Sequence, residues 1–219
     1  ETDAERALET GGASIAEAAA MINRAKRPML YLGGGVIHAG AAAEARNLAE
    51  QGNIPVVMTL MGLGIMPADH PLSLGMLGMH ASRATNLAMA ECDLLIAAGV
   101  RFDDRATGLL SGFCPEAKVI HVDIDASEIG KLRSVDAGIL ADVRTAFAAL
   151  APEVAVQPRR EWGERIRALE ESFPRNLAED FQPGRPFAYI RKVAELAGPD
   201  ALVTTDVGKH QMWVAQAYP

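Results

Sequence analysis

Five short apolar runs punctuate the first two thirds of this 219-residue chain, and each ends at, or within two residues of, a glycine, threonine or acid. They are Pro28–Leu32, Pro55–Met58, the stretch 93–98, Lys118–Asp123 and Ala137–Leu140. The run 93–98, apolar after Asp93, reads as a buried strand stopping at a glycine. Segments with helical spacing separate them: 14 to about 26, Ala41–Gln51, 82–91, Ser127–Leu132 and Val143–Leu150. Strands alternating with helices predict an α/β fold, a doubly wound and mostly parallel sheet.

Composition removes several classes of function. The net charge is −7, and no Lys/Arg-rich run offers a nucleic-acid groove. No apolar run approaches the ~20 residues of a membrane helix. No signal peptide is recognisable, and Cys92 and Cys114 form no CxxC pair. The expected setting is therefore a reduced cytoplasm. The five histidines make no HxxxH or HExxH spacing, so no zinc site is expected. Glu1 opens the chain and Pro219 closes it just after a helix begins; both ends read as cuts in a longer protein.

Residues 1–13, with the Gly11-Gly12 break, read as a linker. The α/β domain is expected over 14–155, opening on the capping box Ser14-x-x-Glu17. Within it, Met61–Ala81 reads as one long irregular loop, and loops of that length are usually functional. Residues 156–185 read as a second linker carrying an amphipathic helix with Trp162, Ile166, Leu169 and Phe173 on one stripe. From 186 a new unit starts: Pro186 opens a helix, Gly198-Pro199 stops it, and Ala201–Thr205 reads as a strand. That strand lacks the rest of a sheet, so residues 200–219 are expected to be poorly ordered or packed non-natively.

In an open parallel sheet the carboxyl ends of the strands share one rim, and ligands bind there. The first strand is followed by Gly33, Gly34 and Gly35, the second by Thr59, Leu60 and Met61, the third by Gly99, Val100 and Arg101. The fourth ends at Asp123, and Asp142 follows the fifth. Glycines let a phosphate approach the backbone. Acids at strand ends can accept from ribose hydroxyls. Arg101-Phe102-Asp103-Asp104-Arg105 adds two guanidiniums suited to a planar or phosphorylated anion. Each signal has a plainer reading. The arginines and acids of that loop could pair with one another, Asp123 could be a cap, and Met61, Met66, Met76, Met79 and His80 could fill gaps. The glycine run is no full GxGxxG, because His38 stands at the third position. Together they favour a dinucleotide cleft. A second cluster, Thr204 to Gln211, puts Gly208, Lys209 and His210 at a strand-to-helix turn, where donors could meet an anion or Asp206 could simply cap the helix.

Long blocks carry a family likeness: LGGGVIHAG (32–40), VVMTLMGLGIMPADHPLSLGMLGMHA (56–81), CDLLIAAGVRFDDRATG (92–108), VIHVDID (119–125) and TTDVGKHQMW (204–213). In these the chain resembles the large catalytic subunit of acetohydroxyacid synthase (acetolactate synthase), a thiamine diphosphate enzyme. The resemblance implies a Rossmann-like middle domain that holds FAD, and the truncated start of the thiamine diphosphate domain over 186–219. By motif, FAD contacts fall on Gly33, Gly34, Gly35, Thr59, Leu60, Met61, Leu77, Gly78, Met79, His80, Gly99, Val100, Arg101, Asp103, Arg105, Asp123, Ile124, Asp142 and Val143. Thiamine diphosphate contacts fall on Gly208, Lys209 and His210, although the family usually has glutamine where Lys209 stands. Met79, Asp104 and Arg105 match a substrate and herbicide channel.

The resemblance further implies Mg2+, pyruvate and a second 2-keto acid as substrates, and a role in branched-chain amino acid synthesis. It implies a homo-oligomer, with a small regulatory subunit in some members. The catalytic glutamate and the metal motif lie outside this chain, so the fragment alone is expected to be inactive. Two alternatives stay open. Lys209 keeps a related FAD-containing glyoxylate carboligase or pyruvate oxidase in view, and the cleft alone would also suit a non-catalytic nucleotide-binding module.

Overall fold

The computed structural model describes residues 15–174, 180, 182–198 and 200–218. Ser14, the 1–13 linker, Phe181 and Pro199 lie outside the described residues. Six strands form one sheet, parallel throughout: β1 (Pro28–Leu32), β2 (Val56–Met58), β3 (Ser73–Met76), β4 (Leu94–Ala98), β5 (Lys118–Asp123) and β6 (Ala137–Leu140). The order across the sheet is β3-β2-β1-β4-β5-β6. The chain starts at the centre, winds to one edge, returns, and winds to the other. The switch point therefore lies between β1 and β4.

Side-chain alternation builds a core on each face. Leu30, Leu32, Ile96, Ala98, Ile120 and Val122 point to the first face. There they meet α1 (Ile15–Arg24), α2 (Gly34–His38), α3 (Ala42–Gly52) and α6 (Val143–Leu150), chiefly through Ile22, Val36, Leu48 and Phe147. Met29, Tyr31, Leu95, Ala97 and Val119 point to the second. Against them lie α4 (Arg83–Glu91) and α7 (Arg160–Ser172), the latter through Trp162, Ile166 and Leu169. Burial on both faces is why these strands read as unbroken apolar runs.

The amphipathic helix α7 thus completes the second face of the sheet. Trp162 Nε1 donates to the carbonyl of Pro28 at 3.0 Å. The buried Arg159 guanidinium donates to the carbonyls of Gly52 and Ile22, which tie it to the ends of α3 and α1. Phe173, expected on the same stripe, takes the Arg83 guanidinium over its ring at 4.4 Å.

Three expectations are corrected. The stretch 61–81 is not all loop, because Ser73–Met76 forms the edge strand β3. It carries Gly75 at φ +72, and the pairing shifts between Val56↔Ser73 and Met58↔Met76. A glycine bulge in a four-residue strand hides the apolar pattern. Residues 127–132 form turns rather than a helix. The Asp125 carboxylate accepts from Ser127 N and Ser127 Oγ, and Gly130 sits at φ +74, so local bonds and a left-handed glycine outcompete helix. Residues 201–205 form no strand. They have no pairing partner among the described residues, and Leu202 is 98% exposed. On either side, α8 (Pro186–Ala197) forms as expected, and α9 (Lys209–Ala217) forms a full helix within the 200–219 tail for which poor order or non-native packing is expected.

Candidate functional site

Beyond β1 and β4 the two chain segments touch. Gly33 N donates to Ala98 O (3.0 Å) and Gly35 N to Gly99 O (3.2 Å). A Cβ on Gly33 would stand 2.2 Å from Gly99 O, and one on Gly35 would stand 2.6 Å from Gly99 Cα. Gly99 itself has φ +59. These glycines first serve chain–chain contact at the switch point, a reason the bare sequence does not separate from ligand approach. The crossover that follows β1 goes to the first face, and the segment after β4 goes to the second. A cleft of about 1040 Å3 opens between them, just above the ~300–1,000 Å3 usual for small-molecule sites.

The expected rim is assembled there. Gly33, Gly34, Gly35, Thr59, Leu60, Met61, Leu77, Met79, His80, Gly99, Val100, Arg101, Asp103, Arg105, Asp123, Ile124, Asp142 and Val143 all border this cleft. Gly78 does not. It is tucked under α5 (Asp104–Thr107), where a Cβ would meet Arg105 O at 2.4 Å. Asp104 is exposed and stands outside the lining. The methionines divide: Met66 and Met76 are buried, while Met61 and Met79 are exposed at the cleft.

The arginine loop is not a self-paired cluster. The Asp103 carboxylate caps α5, accepting from Arg105 N (3.2 Å) and Ala106 N (3.3 Å). Arg101 and Arg105 are exposed, and among the described residues neither forms an ion pair. Two uncompensated guanidiniums therefore face the cleft, an arrangement suited to an anion. Across it stand carboxylates with oxygens to spare. Asp123 Oδ1 accepts from Asp125 N (2.9 Å), and Asp142 Oδ1 caps α6 through Arg144 N (2.9 Å). Asp142 Oδ2 remains as an acceptor for a hydroxyl or amino group, and Asp123 Oδ2 lies 3.9 Å from His121 Nε2 with accepting capacity left over.

Below the arginine loop lies a buried aromatic set. Phe102, at φ +54, packs edge-to-face on His121 (5.1 Å between centroids), Tyr31 (5.7 Å) and Phe113 (6.3 Å). His121 is fully buried, and its Nε2 donates to Val100 O at 3.1 Å. Burial pushes its pKa below the ordinary histidine value, so the ring is neutral. Burial likewise raises the Tyr31 hydroxyl, while the Cys92 thiol is raised by hydrogen bonding with neighbouring Cys114 and then by burial.

Sequence reasoning passed over His38, Ala39, Met76, Ala106, Asp125 and Glu128 in the lining, and also Val207, Gln211 and Met212. The last three arrive because α9 lies over the cleft mouth, where Gln216 Nε2 donates to His80 O at 2.8 Å. Gly208, Lys209 and His210 sit at the start of α9, exposed and outside the lining. Among the described residues no group of three or more His, Cys, Asp or Glu gathers as a metal site, and no helix is long and apolar enough to cross a membrane.

Comparison with known proteins agrees with this architecture. The chain is 53% identical over 206 residues to the acetolactate synthase isozyme 1 large subunit of Escherichia coli K12, covering 94% of this chain and 36% of that protein. It is 46% identical over 209 residues to the acetolactate synthase large subunit of Parasynechococcus marenigrum, covering 93% and 34%. A probable acetolactate synthase large subunit of Methanocaldococcus jannaschii is 42% identical over 214 residues, covering 93% and 36%. The chain thus spans about a third of the length of the curated relatives it matches. The family model described as thiamine pyrophosphate enzyme, central domain, matches residues 15–150, which hold the whole sheet and both walls of the cleft, and the chain belongs to that family.

Proposed function

We propose that the cleft at the β1/β4 switch point holds FAD, and that the chain is the flavin-binding central part of an acetolactate synthase large subunit. One observation carries the reading. Unpaired arginines, close-packed glycines and acids with free oxygens converge on a single cleft of about 1040 Å3, as a dinucleotide requires. The residues present fit such a ligand. Arg101 and Arg105 would bind the diphosphate, Asp123 and Asp142 would accept from the ribose and the adenine end, and the apolar wall of Leu60, Met61 and Met79 would cover the ring system. Met79 and Arg105 would also border the substrate channel. Joining two keto-acid fragments needs no net redox, so the flavin is proposed as a structural element.

In the intact enzyme, bound thiamine diphosphate with Mg2+ would supply the stabilised carbanion that decarboxylation of pyruvate leaves. Gly208, Lys209 and His210 lie outside the lining of this cleft, which supports a thiamine diphosphate site completed by parts of the enzyme beyond this chain. They would form one wall of it, with Lys209 as a point charge toward a diphosphate. We assign the chain's own residues to binding FAD, shaping the channel and keeping water from its inner end. The remaining parts of the proposal are a domain over 14–155 joined through 156–185 to the start of the thiamine domain, an inactive isolated fragment, a homo-oligomeric intact subunit and a cytoplasmic setting. The relatives' printed names favour this reading over a glyoxylate carboligase or a pyruvate oxidase.

The test is the intact protein, purified and supplied with FAD, thiamine diphosphate and Mg2+. Acetolactate formed from pyruvate, and a second product when 2-ketobutyrate is added, supports the proposal. A loaded, folded protein that makes neither refutes it, and oxygen uptake with pyruvate would instead favour an oxidase.

A further inference from the structure

Two buried rings, Phe102 and His121, lie beneath the arginine loop without lining the cleft. Past β4 the chain makes two left-handed residues, Gly99 at φ +59 and Phe102 at φ +54. A left-handed conformation is unfavourable for a bulky aromatic residue, and it persists only where the surroundings hold it. Here they do: the Phe102 ring is 3% exposed and edge-to-face with His121, Tyr31 and Phe113. His121 fixes the other side of the turn, because its Nε2 donates to the carbonyl of Val100, two residues before Phe102. The segment between these pins is a single residue, Arg101. Phe102 turning inward forces Arg101 outward, and it delivers Asp103 to the start of α5, which carries Arg105. Without the ring, residue 102 would relax toward negative φ and the guanidiniums would lose their common direction.

We propose that Phe102 and His121 are positioning residues, which set the aim of Arg101 and Arg105 and through it the affinity of the cleft for the diphosphate of its nucleotide. The inference rests on the reading of the cleft as an FAD site. Phe102→Leu keeps most of the apolar bulk and removes the ring. His121→Gln keeps a donor for Val100 O and removes the aromatic partner of Phe102.

The test is a double-mutant cycle on the intact protein, with FAD affinity read by quenching of flavin fluorescence and apo-protein melting recorded in parallel. Phe102→Leu should weaken FAD binding about tenfold, within the usual range for coupled neighbours. In the Arg101→Gln/Arg105→Gln background the same substitution should change affinity less than about twofold, because its route to the ligand is gone. The dependence of affinity on salt should flatten in Phe102→Leu, as it does when an arginine contact is lost. A purely structural Phe102 would lower melting while leaving the salt dependence unchanged, and its effect would add in full to that of the arginine pair; that result overturns the inference. If Phe102→Leu does not fold, His121→Gln carries the same cycle in an Asp123→Asn background, because His121 Nε2 also lies 3.9 Å from Asp123 Oδ2, and the expected outcomes are the same. No flavin binding by the unaltered protein overturns the FAD reading and this inference together, whereas binding that needs Arg101 but ignores Phe102 and His121 overturns the inference alone.

Discussion

The glycines at the switch point give the sharpest stability prediction. A methyl on Gly33 would stand 2.2 Å from the Gly99 carbonyl oxygen and 2.7 Å from Val100 Cγ1, well inside the 3.0 Å that real Cβ contacts essentially never breach. The carbonyl oxygen cannot swing aside cheaply, because Gly35 N donates to it and Gly33 N is bonded to Ala98 O. Gly33→Ala is therefore an overpacking change against pinned backbone, expected to cost about 3 kcal/mol, the upper part of the usual range. At ~2–4 °C per kcal/mol for a domain of this size, melting should fall by about 6–12 °C. Gly163→Ala supplies the opposite sign, since Gly163 lies inside α7 with nothing within 4 Å of its new methyl. It should stabilise by about 0.5–1 kcal/mol through helix propensity. Thermal and urea unfolding of the ligand-free chain measures both. A ligand-free melting point for Gly33→Ala within about 2 °C of the unaltered chain refutes the argument. It would mean that the glycine is required by the ligand rather than by the backbone of Gly99.

Other perturbations test separate links. Arg101→Gln and Arg105→Gln should each weaken FAD binding about tenfold or more, the worth of a charge-assisted hydrogen bond, and titrations showing unchanged affinity would remove the diphosphate assignment. Trp162→Ala should destabilise by about 4 kcal/mol, because it empties a buried site and strips a donor from the Pro28 carbonyl; denaturant unfolding checks it. Burial holds His121 neutral in the folded state while the unfolded chain protonates near 6.5, so below that pH the unfolded state binds the extra proton and stability falls as pH drops. His121→Gln should lose that part of the slope between about pH 7.5 and 5.5, and an unaltered slope in urea titrations would contradict it.

The sheet was legible because its physics is local. Strands covered on both faces must be apolar throughout, and Pro28–Leu32, Leu94–Ala98 and Lys118–Asp123 carry that pattern where the structure places β1, β4 and β5. Legibility ended where backbone geometry, not side-chain pattern, decides. β3 pairs through a bulge at Gly75, so four residues with a glycine among them carry no recognisable period. At 127–132 the helical spacing was present, but Asp125 spends its carboxylate on Ser127 and Gly130 turns left-handed. At 201–205 the residues favour a strand, yet strand propensity expresses itself only against a partner edge.

The candidate site divides along the same line. Its strand-end residues could be collected from sequence because a parallel sheet places every carboxyl end on one rim, so knowing the topology fixes the neighbours of Gly33, Gly99 and Asp123 without knowing any distance. Gln211 and Met212 reach the same cleft only through the docking of α9, whose position no local pattern encodes. Phe102 and His121 were hidden for a third reason: they are silent in the lining and act one layer beneath it. A charged loop with one aromatic residue in its middle is nevertheless a readable sign. The ring between Arg101 and Asp103 is buried here by a left-handed residue, with Arg101 exposed beside it. In this chain the lone aromatic bracketed by charges, immediately after a buried strand and a glycine, is a left-handed pin under a charged rim. Phe102 at φ +54 is that pin.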